Sequence, residues 1–365
     1  MSTPPRARDL GLPFSGSPGP CNAITDVPGV TVGFATVIED PVPGRHRGLC
    51  TGVTAILPRG TSGEITPVWA GLHSFNGNGE LTGGHHIADL GWFLGPVMLT
   101  NSHGVGMTSH ATVGWMIDRH PDVFEHDHMW CLPVVGETYD GVLNDINARG
   151  VTEAHARAAL DTAAPGPVAE GNVGGGTGMI AYEFKGGTGT ASRRITVAGL
   201  DCTLGVLVQA NHGTRAAFEV AGIPVGREMP ENPVFESETG SIIVVIATDA
   251  PLLPHQLNRL ARRGAIGIGR NGTTGGHNSG DIFIAFSTAN PQQNPWHAPD
   301  VMSLSALKDS HLDAFYTAAV QATEEAVLNA MVAATDRIAV KPKGKLVQAI
   351  DHDRLRAVMA AAGRN

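Results

Sequence analysis

Ile242-Ile243-Val244-Val245-Ile246-Ala247 is an unbroken apolar run, mostly β-branched, and any fold of this chain has to bury it. Its composition predicts a buried strand. The bond Gly240-Ser241, preceded by Glu238-Thr239, stands at the mouth of that strand. Two readings fit this placement. Gly-Ser before a strand is a common loop ending. It is also a place where a protein can cut itself and expose a serine that carries its own base. A serine hydroxyl is a poor nucleophile at neutral pH until a base takes its proton. A freed α-amino group, with a pKa of about 7.7–8.0, is such a base.

The 365 residues suit one large domain or two, and 42% hydrophobic content supports a substantial core. The 47 glycines and 5% aromatic content predict tight turns and close backbone approaches. There is no repeat period or low-complexity tract, which argues against disordered and collagen-like classes. A formal net charge of −9 argues against a nucleic-acid surface. The acidic excess precedes the Gly-Ser bond: 24 Asp and Glu against 13 Lys and Arg up to Gly240, then 10 against 12. That split is compatible with two pieces that stay associated. Cys21, Cys50, Cys131 and Cys202 form no CxxC pair, so neither a zinc knuckle nor a redox motif is indicated. Met1-Ser2-Thr3-Pro4-Pro5-Arg6 lacks an apolar signal core and no stretch approaches a membrane span, so a soluble cytoplasmic protein is expected.

Pro4, Pro5, Pro13, Pro18 and Pro20 make the first twenty residues an extended arm suited to wrapping another surface. Strands are predicted over 30–37, 53–57, 65–70, 195–198, 204–209, 242–247 and 281–287. Helices are predicted over 152–160, with Thr152 as cap, and over 252–263, with Asp249 as cap and Gly264 as stop. A long helix is expected from about 307 to 335, with Leu312, Phe315, Ala319, Ala322, Ala326 and Ala330 on one face. Mixed order without regular βαβ alternation predicts packed sheets with outer helices.

Several segments carry candidate chemistry. Gly174-Gly175-Gly176-Thr177-Gly178-Met179 lacks the Lys and Ser/Thr of a phosphate loop. Its glycines suit close backbone approach or presentation of N–H groups to an oxyanion. Among sixteen histidines, His85-His86 and His126-Asp127-His128 form neither HExxH nor a Cys/His quartet, and no metal is called for. Glu137 and Tyr139 stand two residues apart, on one side of an extended segment. Asn211 ends the strand Leu207-Val208-Gln209-Ala210, where an amide either closes a turn or donates to an oxyanion. His277-Asn278-Ser279-Gly280-Asp281 is either a polar turn entering a strand or a site that places a hydroxyl and a carboxylate at the strand's start, suited to orienting a nucleophile and its amine.

Together these pieces resemble the DmpA/BapA family of N-terminal-serine hydrolases, the L-aminopeptidase D-Ala-esterase/amidases and β-aminopeptidases. The resemblance runs over nearly the whole chain, through 74–80, 137–141, 174–179, 209–211, 240–242 and 278–281 in the family's order. It implies an αββα sandwich, Ntn-hydrolase-like with different connectivity. It also implies a single domain cut between Gly240 and Ser241 into a 240-residue α chain and a 125-residue β chain, with such heterodimers usually assembling as tetramers.

By position in those motifs, Ser241 is the expected nucleophile, Asn211 the oxyanion donor, and Tyr139 a partner near the reacting centre. Ser279 and Asp281 are expected to position the terminal amine, and Glu137 to pair with the substrate's free amino group. Small peptides and amino-acid amides or esters are the implied substrates, with no cofactor. Some relatives, notably β-aminopeptidases, carry Glu where this chain has Asp281, which leaves α- against β-amino preference open. An ornithine-acetyltransferase-like acyl transferase, whose nucleophile is typically Thr, and a non-catalytic binding protein are the alternatives.

Overall fold

In the computed structural model, which describes residues 4–61, 65–235, 240–291 and 298–364, the apolar run lies inside a six-stranded sheet. Glu238 and Thr239 lie outside the described residues. One sheet joins β1 (Thr31–Glu39), β2 (Leu49–Leu57), β5 (Val97–Asn101) and β6 (Val134–Thr138) in the order β1-β2-β5-β6. The other contains β3 (Val68–Ser74), β4 (Trp92–Phe93), β9 (Gly187–Val197), β10 (Leu200–Asn211), β11 (Ser241–Thr248) and β12 (Ile282–Ser287). Its order is β4-β3-β12-β11-β10-β9. Two hairpins stand apart, β7 (Ile180–Ala181) with β8 (Phe184–Lys185), and β13 (Arg337–Val340) with β14 (Lys343–Val347).

The side chains of β11 sort by parity into two cores. Ile243, Val245 and Ala247 join Val32, Ile56, Val97, Leu99 and Val134 between the sheets. Ile242, Val244 and Ile246 face a helical layer of α6 (Pro254–Ala261), α7 (Arg263–Gly269), α8 (Leu312–Val332) and α9 (His352–Ala361). On the far side, Val53, Ala55, Met98 and Val135 pack against α2 (Val105–Arg119) and α4 (Glu153–Asp161). The layers are therefore α, β, β, α. A strand covered on both faces has no wet positions, which is why its sequence is continuous rather than alternating. β11 pairs antiparallel with β10 and parallel with β12, so the starts of β11 and β12 and the end of β10 meet at one rim.

Three local expectations are corrected. The strand predicted over 65–70 is β3, which begins at Val68, after Pro67, a residue without an N–H for the ladder. Asp249 caps no helix: it accepts from Thr203 N at 2.7 Å, while Gln256 Oε1 caps α6 by accepting from Leu253 N at 2.9 Å. Gly264 does not end the helix but lies within α7, where a Cβ would meet the Phe283 ring at 2.6 Å. The N-terminal arm lies on its own chain. Arg6 clasps Glu170 at 2.7 and 3.1 Å, and Arg8 clasps Glu325 on α8 at 2.7 and 2.9 Å.

Candidate active site

The rim where β10, β11 and β12 meet is built by register. Ser241 is the first residue of β11 and is directly paired with Asn211, the last of β10. Opposed residues of an antiparallel pair project to the same face, so hydroxyl and amide lie side by side. The amide's orientation is fixed by its partners. Asn211 Oδ1 accepts from Ile180 N at 2.8 Å, and Nδ2 donates to the Tyr139 carbonyl at 3.0 Å. The second hydrogen of Nδ2 has no partner among the described residues and remains available to a developing negative charge.

Gly240 packs so tightly on this strand end that a Cβ would lie 1.8 Å from the Asn211 carbonyl oxygen. Glycine is required here by close approach of two backbones. Gly240 and Asn211 share a cleft with Tyr139, Val142, Ile180 and Phe235.

On the other side, three consecutive residues before β12 each act. Gly280 N donates to Ser241 Oγ at 2.9 Å. Asp281 Oδ1 accepts from Ser279 Oγ at 2.5 Å and from Ile242 N at 3.2 Å, while Oδ2 accepts from Asn76 Nδ2 at 3.3 Å. This buried carboxylate thus sits against the backbone immediately after Ser241, where an amine at that residue would find an anionic neighbour. Gly280 reaches Ser241 because it has no side chain: a Cβ would lie 2.3 Å from the Asn78 carbonyl oxygen.

Glu137 is buried and is not among the described residues lining the cleft. Its Oε1 accepts from Glu80 N at 3.0 Å, and its Oε2 accepts from the Ser102 hydroxyl. Gly79 lies against both Gly280 and Glu137 Oε1, which links this carboxylate to the Ser241 rim. Burial pushes the Glu137 carboxyl above the usual range, opposed by the bonds from Ser102 and Glu80. Tyr139, two residues on, is 40% exposed, with its phenol over Gly141. Asp140 between them is buried and held by Asn101 and Asn144 amides, each at 3.0 Å, and burial pushes its pKa up to about 6. Asp140 anchors the strand end that carries Tyr139.

Ser241, Asn211, Tyr139, Ser279 and Asp281 are therefore brought to one rim, and Glu137 stands one loop away. Sequence reasoning did not give roles to Gly280, Asn76, Ile180, Ser102 or Phe235. Asn76 and Gly280 lie within the motifs that carry the family resemblance; Asn76 acts through its side-chain amide, whereas Gly280 acts through a backbone N–H, which leaves no mark on side-chain chemistry. The glycine-rich segment is a packed 3₁₀ turn, in which Gly174 N and Gly175 N donate to the hydroxyls of Thr36 and Thr54 at 2.9 and 3.0 Å. Those N–H groups serve the fold. Among the described residues no group of three or more His, Cys, Asp and Glu could hold a metal; His86 and His128 pack edge-on against Trp92 and Trp130.

The family model described as peptidase family S58 matches residues 22–343. The chain belongs to peptidase family S58. Among family S58 relatives, it is 48% identical to the β-peptidyl aminopeptidase BapA of Sphingosinicella microcystinivorans, covering 97% of this chain and 92% of that protein. The L-aminopeptidase D-Ala-esterase/amidase of Ochrobactrum anthropi, described as a prototype for the serine aminopeptidases and a new variant of the Ntn hydrolase fold, superposes with a TM-score of 0.96. It shares 59% identity over 99% of each chain. A Burkholderia sp. β-aminopeptidase superposes at 0.89 with 42% identity, over 99% of this chain and 100% of that one. The expected αββα Ntn-like fold and serine aminopeptidase class of family S58 thus hold, and the acyl-transferase alternative is not favoured. No helix among the described residues is long and apolar enough to cross a membrane.

Proposed function

We propose that this chain is cut between Gly240 and Ser241 and then works as an N-terminal-serine aminopeptidase on small peptides and amino-acid amides or esters. The observation that carries this reading is the placement of Gly240 in a cleft beside Asn211, with Ser241 Oγ opposite that amide.

In maturation, Ser241 Oγ adds to the Gly240 carbonyl carbon and the C–N bond to Ser241 breaks. The hydroxyl proton ends on the released amine, leaving an ester on Oγ. Water hydrolyses the ester, giving a Gly240 carboxyl and a free Ser241 with both hydroxyl and α-amine. In turnover the amine takes the hydroxyl proton as Oγ attacks the substrate carbonyl, and Asn211 Nδ2 donates to the oxyanion. The amine passes the proton to the leaving group, and water clears the acyl-enzyme. Asp281, held by Ser279 and Asn76, stabilises the protonated amine between these transfers. Tyr139 hydrogen-bonds near the reacting carbonyl. Glu137 pairs with the substrate's free amine, which confines attack to the first amide or ester bond.

Domain organisation follows: one αββα unit matures into 1–240 and 241–365, and the pairs assemble into a larger homo-oligomer. Intact mass of the purified protein tests the central step. Two chains of 240 and 125 residues from the wild type, and one uncut, inactive chain from Ser241→Ala, are expected. An uncut wild type with full activity overturns the reading.

A further inference from the structure

The β7–β8 hairpin turns through Tyr182 and Glu183 at φ values of 50° and 62°, two adjacent non-glycine residues in the left-handed region. Two-residue hairpin turns of this kind favour Asn-Gly, so a buried tyrosine and glutamate here hold a strained conformation that something else must stabilise.

Tyr182 packs on His212 and Phe218, and the other contacts of the hairpin lead toward the Gly240–Ser241 rim. At the base of the hairpin, Ile180 N orients the Asn211 amide at 2.8 Å. At its tip, the buried Glu183 carboxylate collects three backbone donors: Arg215 N at 2.8 Å through Oε1, and Val234 N at 2.6 Å and Phe235 N at 3.2 Å through Oε2. Arg215 reinforces the same segment. Its guanidinium donates to the carbonyls of Glu183, Met229 and Glu231 at 2.7, 2.9 and 3.0 Å. Phe235, placed by this carboxylate, lines the cleft that holds Gly240.

We infer that Glu183 is a positioning residue: it holds the backbone of Val234 and Phe235, the last described residues before Gly240, and keeps Phe235 as a wall of the substrate cleft once the Gly240–Ser241 bond is open. This rests on the self-processing reading. A carboxylate offers acceptors only, whereas an amide at this position turns an N–H₂ toward backbone N–H groups. The placement also gives the residue a specificity role, because apolar Phe235 lines the cleft that Asn211 and Gly240 share.

The test compares full-length Glu183→Gln with wild type in parallel, following cleavage by intact mass after synthesis. The kinetics of the fully cut enzymes are then measured on an apolar amino-acid p-nitroanilide, together with their melting temperatures. We expect cleavage slowed about tenfold and KM raised about fivefold with kcat within about twofold, as loss of one charge-assisted acceptor implies. Phe235→Ala, at a half-buried position, should reproduce the KM increase should Glu183→Gln fail to fold. Wild-type cleavage rate and KM in both variants overturn the inference, as does a parallel fall of kcat, KM performance and melting temperature in Glu183→Gln. An uncut but active wild type overturns the self-processing reading instead, and KM of the uncut Glu183→Gln and Phe235→Ala chains against that wild type then decides the role of Glu183: a raised KM in both keeps it, and a wild-type KM in both overturns it.

Discussion

Asn211 and Ser241 are directly opposed across the antiparallel pairing of β10 and β11. A slip of one residue would turn Ser241 from the inter-sheet face to the helical face, away from the amide. The geometry at this rim is thus inherited from the pairing of two buried strands.

Asn211 has separable duties, and Asn211→Asp separates them. The carboxylate keeps an acceptor for Ile180 N but has no N–H₂ to donate. Turnover should fall by about 10²–10³ with a much smaller change in KM. Steady-state kinetics on cut enzyme check this, and undiminished kcat removes Asn211 from the oxyanion site.

Glu137→Gln should raise KM for free-amine substrates about tenfold or more while maturation proceeds at the wild-type rate. Burial holds the Glu137 carboxyl above the usual range, so the ionised form that pairs with an amine is lost as pH falls through that raised value. KM should climb in acid at a higher pH than an ordinary glutamate would dictate. A pH series of KM checks it: the climb should be absent in Glu137→Gln, and its persistence assigns the limb to another group.

Gly240→Ala should slow maturation about 10²-fold while leaving the fold intact. The added Cβ would sit 1.8 Å from the Asn211 carbonyl oxygen, so the scissile carbonyl must move by an ångström or more. Misplacement on that scale costs about 10²-fold in rate. Time-resolved intact mass reads the effect directly, and cleavage within a few-fold of wild type would show that the strand end yields.

Lys185 links stability to pH. It is wholly buried, its Nζ donates to the Gly186 and Gly176 carbonyls at 2.8 and 3.3 Å, and burial pulls its pKa down to about 7. Between about 7 and the ordinary lysine value of 10.5 the unfolded chain binds the proton and the native chain does not. Stability therefore rises with pH across that window, by up to about 1.4 kcal/mol per pH unit for one proton. Lys185→Met should remove this slope. Urea unfolding at pH 7, 8 and 9 measures it, and an unchanged slope in the variant places the linkage elsewhere.

Legibility in the sequence followed how local each cause is. The buried β11 run, the strands of 30–37, 53–57 and 204–209, and the long C-terminal helix carry periodicities that a strand or helix imposes on its own residues. α2, with Gly106, Gly114 and several Thr and Ser residues in Val105–Arg119, lacks a strong helical signal and is held by packing of Ala111, Trp115 and Met116 on the first sheet. The helix predicted over 252–263 is divided between α6 and α7, and Gly264 of α7 fits against Phe283, a partner remote in sequence.

The same division runs through the site. The candidate side chains are legible in the sequence: a serine after glycine at a strand's mouth, a strand-ending amide, and a hydroxyl and carboxylate flanking Gly280. Side-chain type decides what a group can donate, accept or attack, and that is written locally. Which backbone groups meet those side chains comes from the fold: Gly280 N on Ser241 Oγ, Ile180 N on Asn211, and Val234 and Phe235 N on the Glu183 carboxylate. Every residue but proline carries the same N–H, so its use depends on which distant strand or turn comes within about 3 Å, and that is fixed by sheet register and close glycine packing rather than by the residue itself.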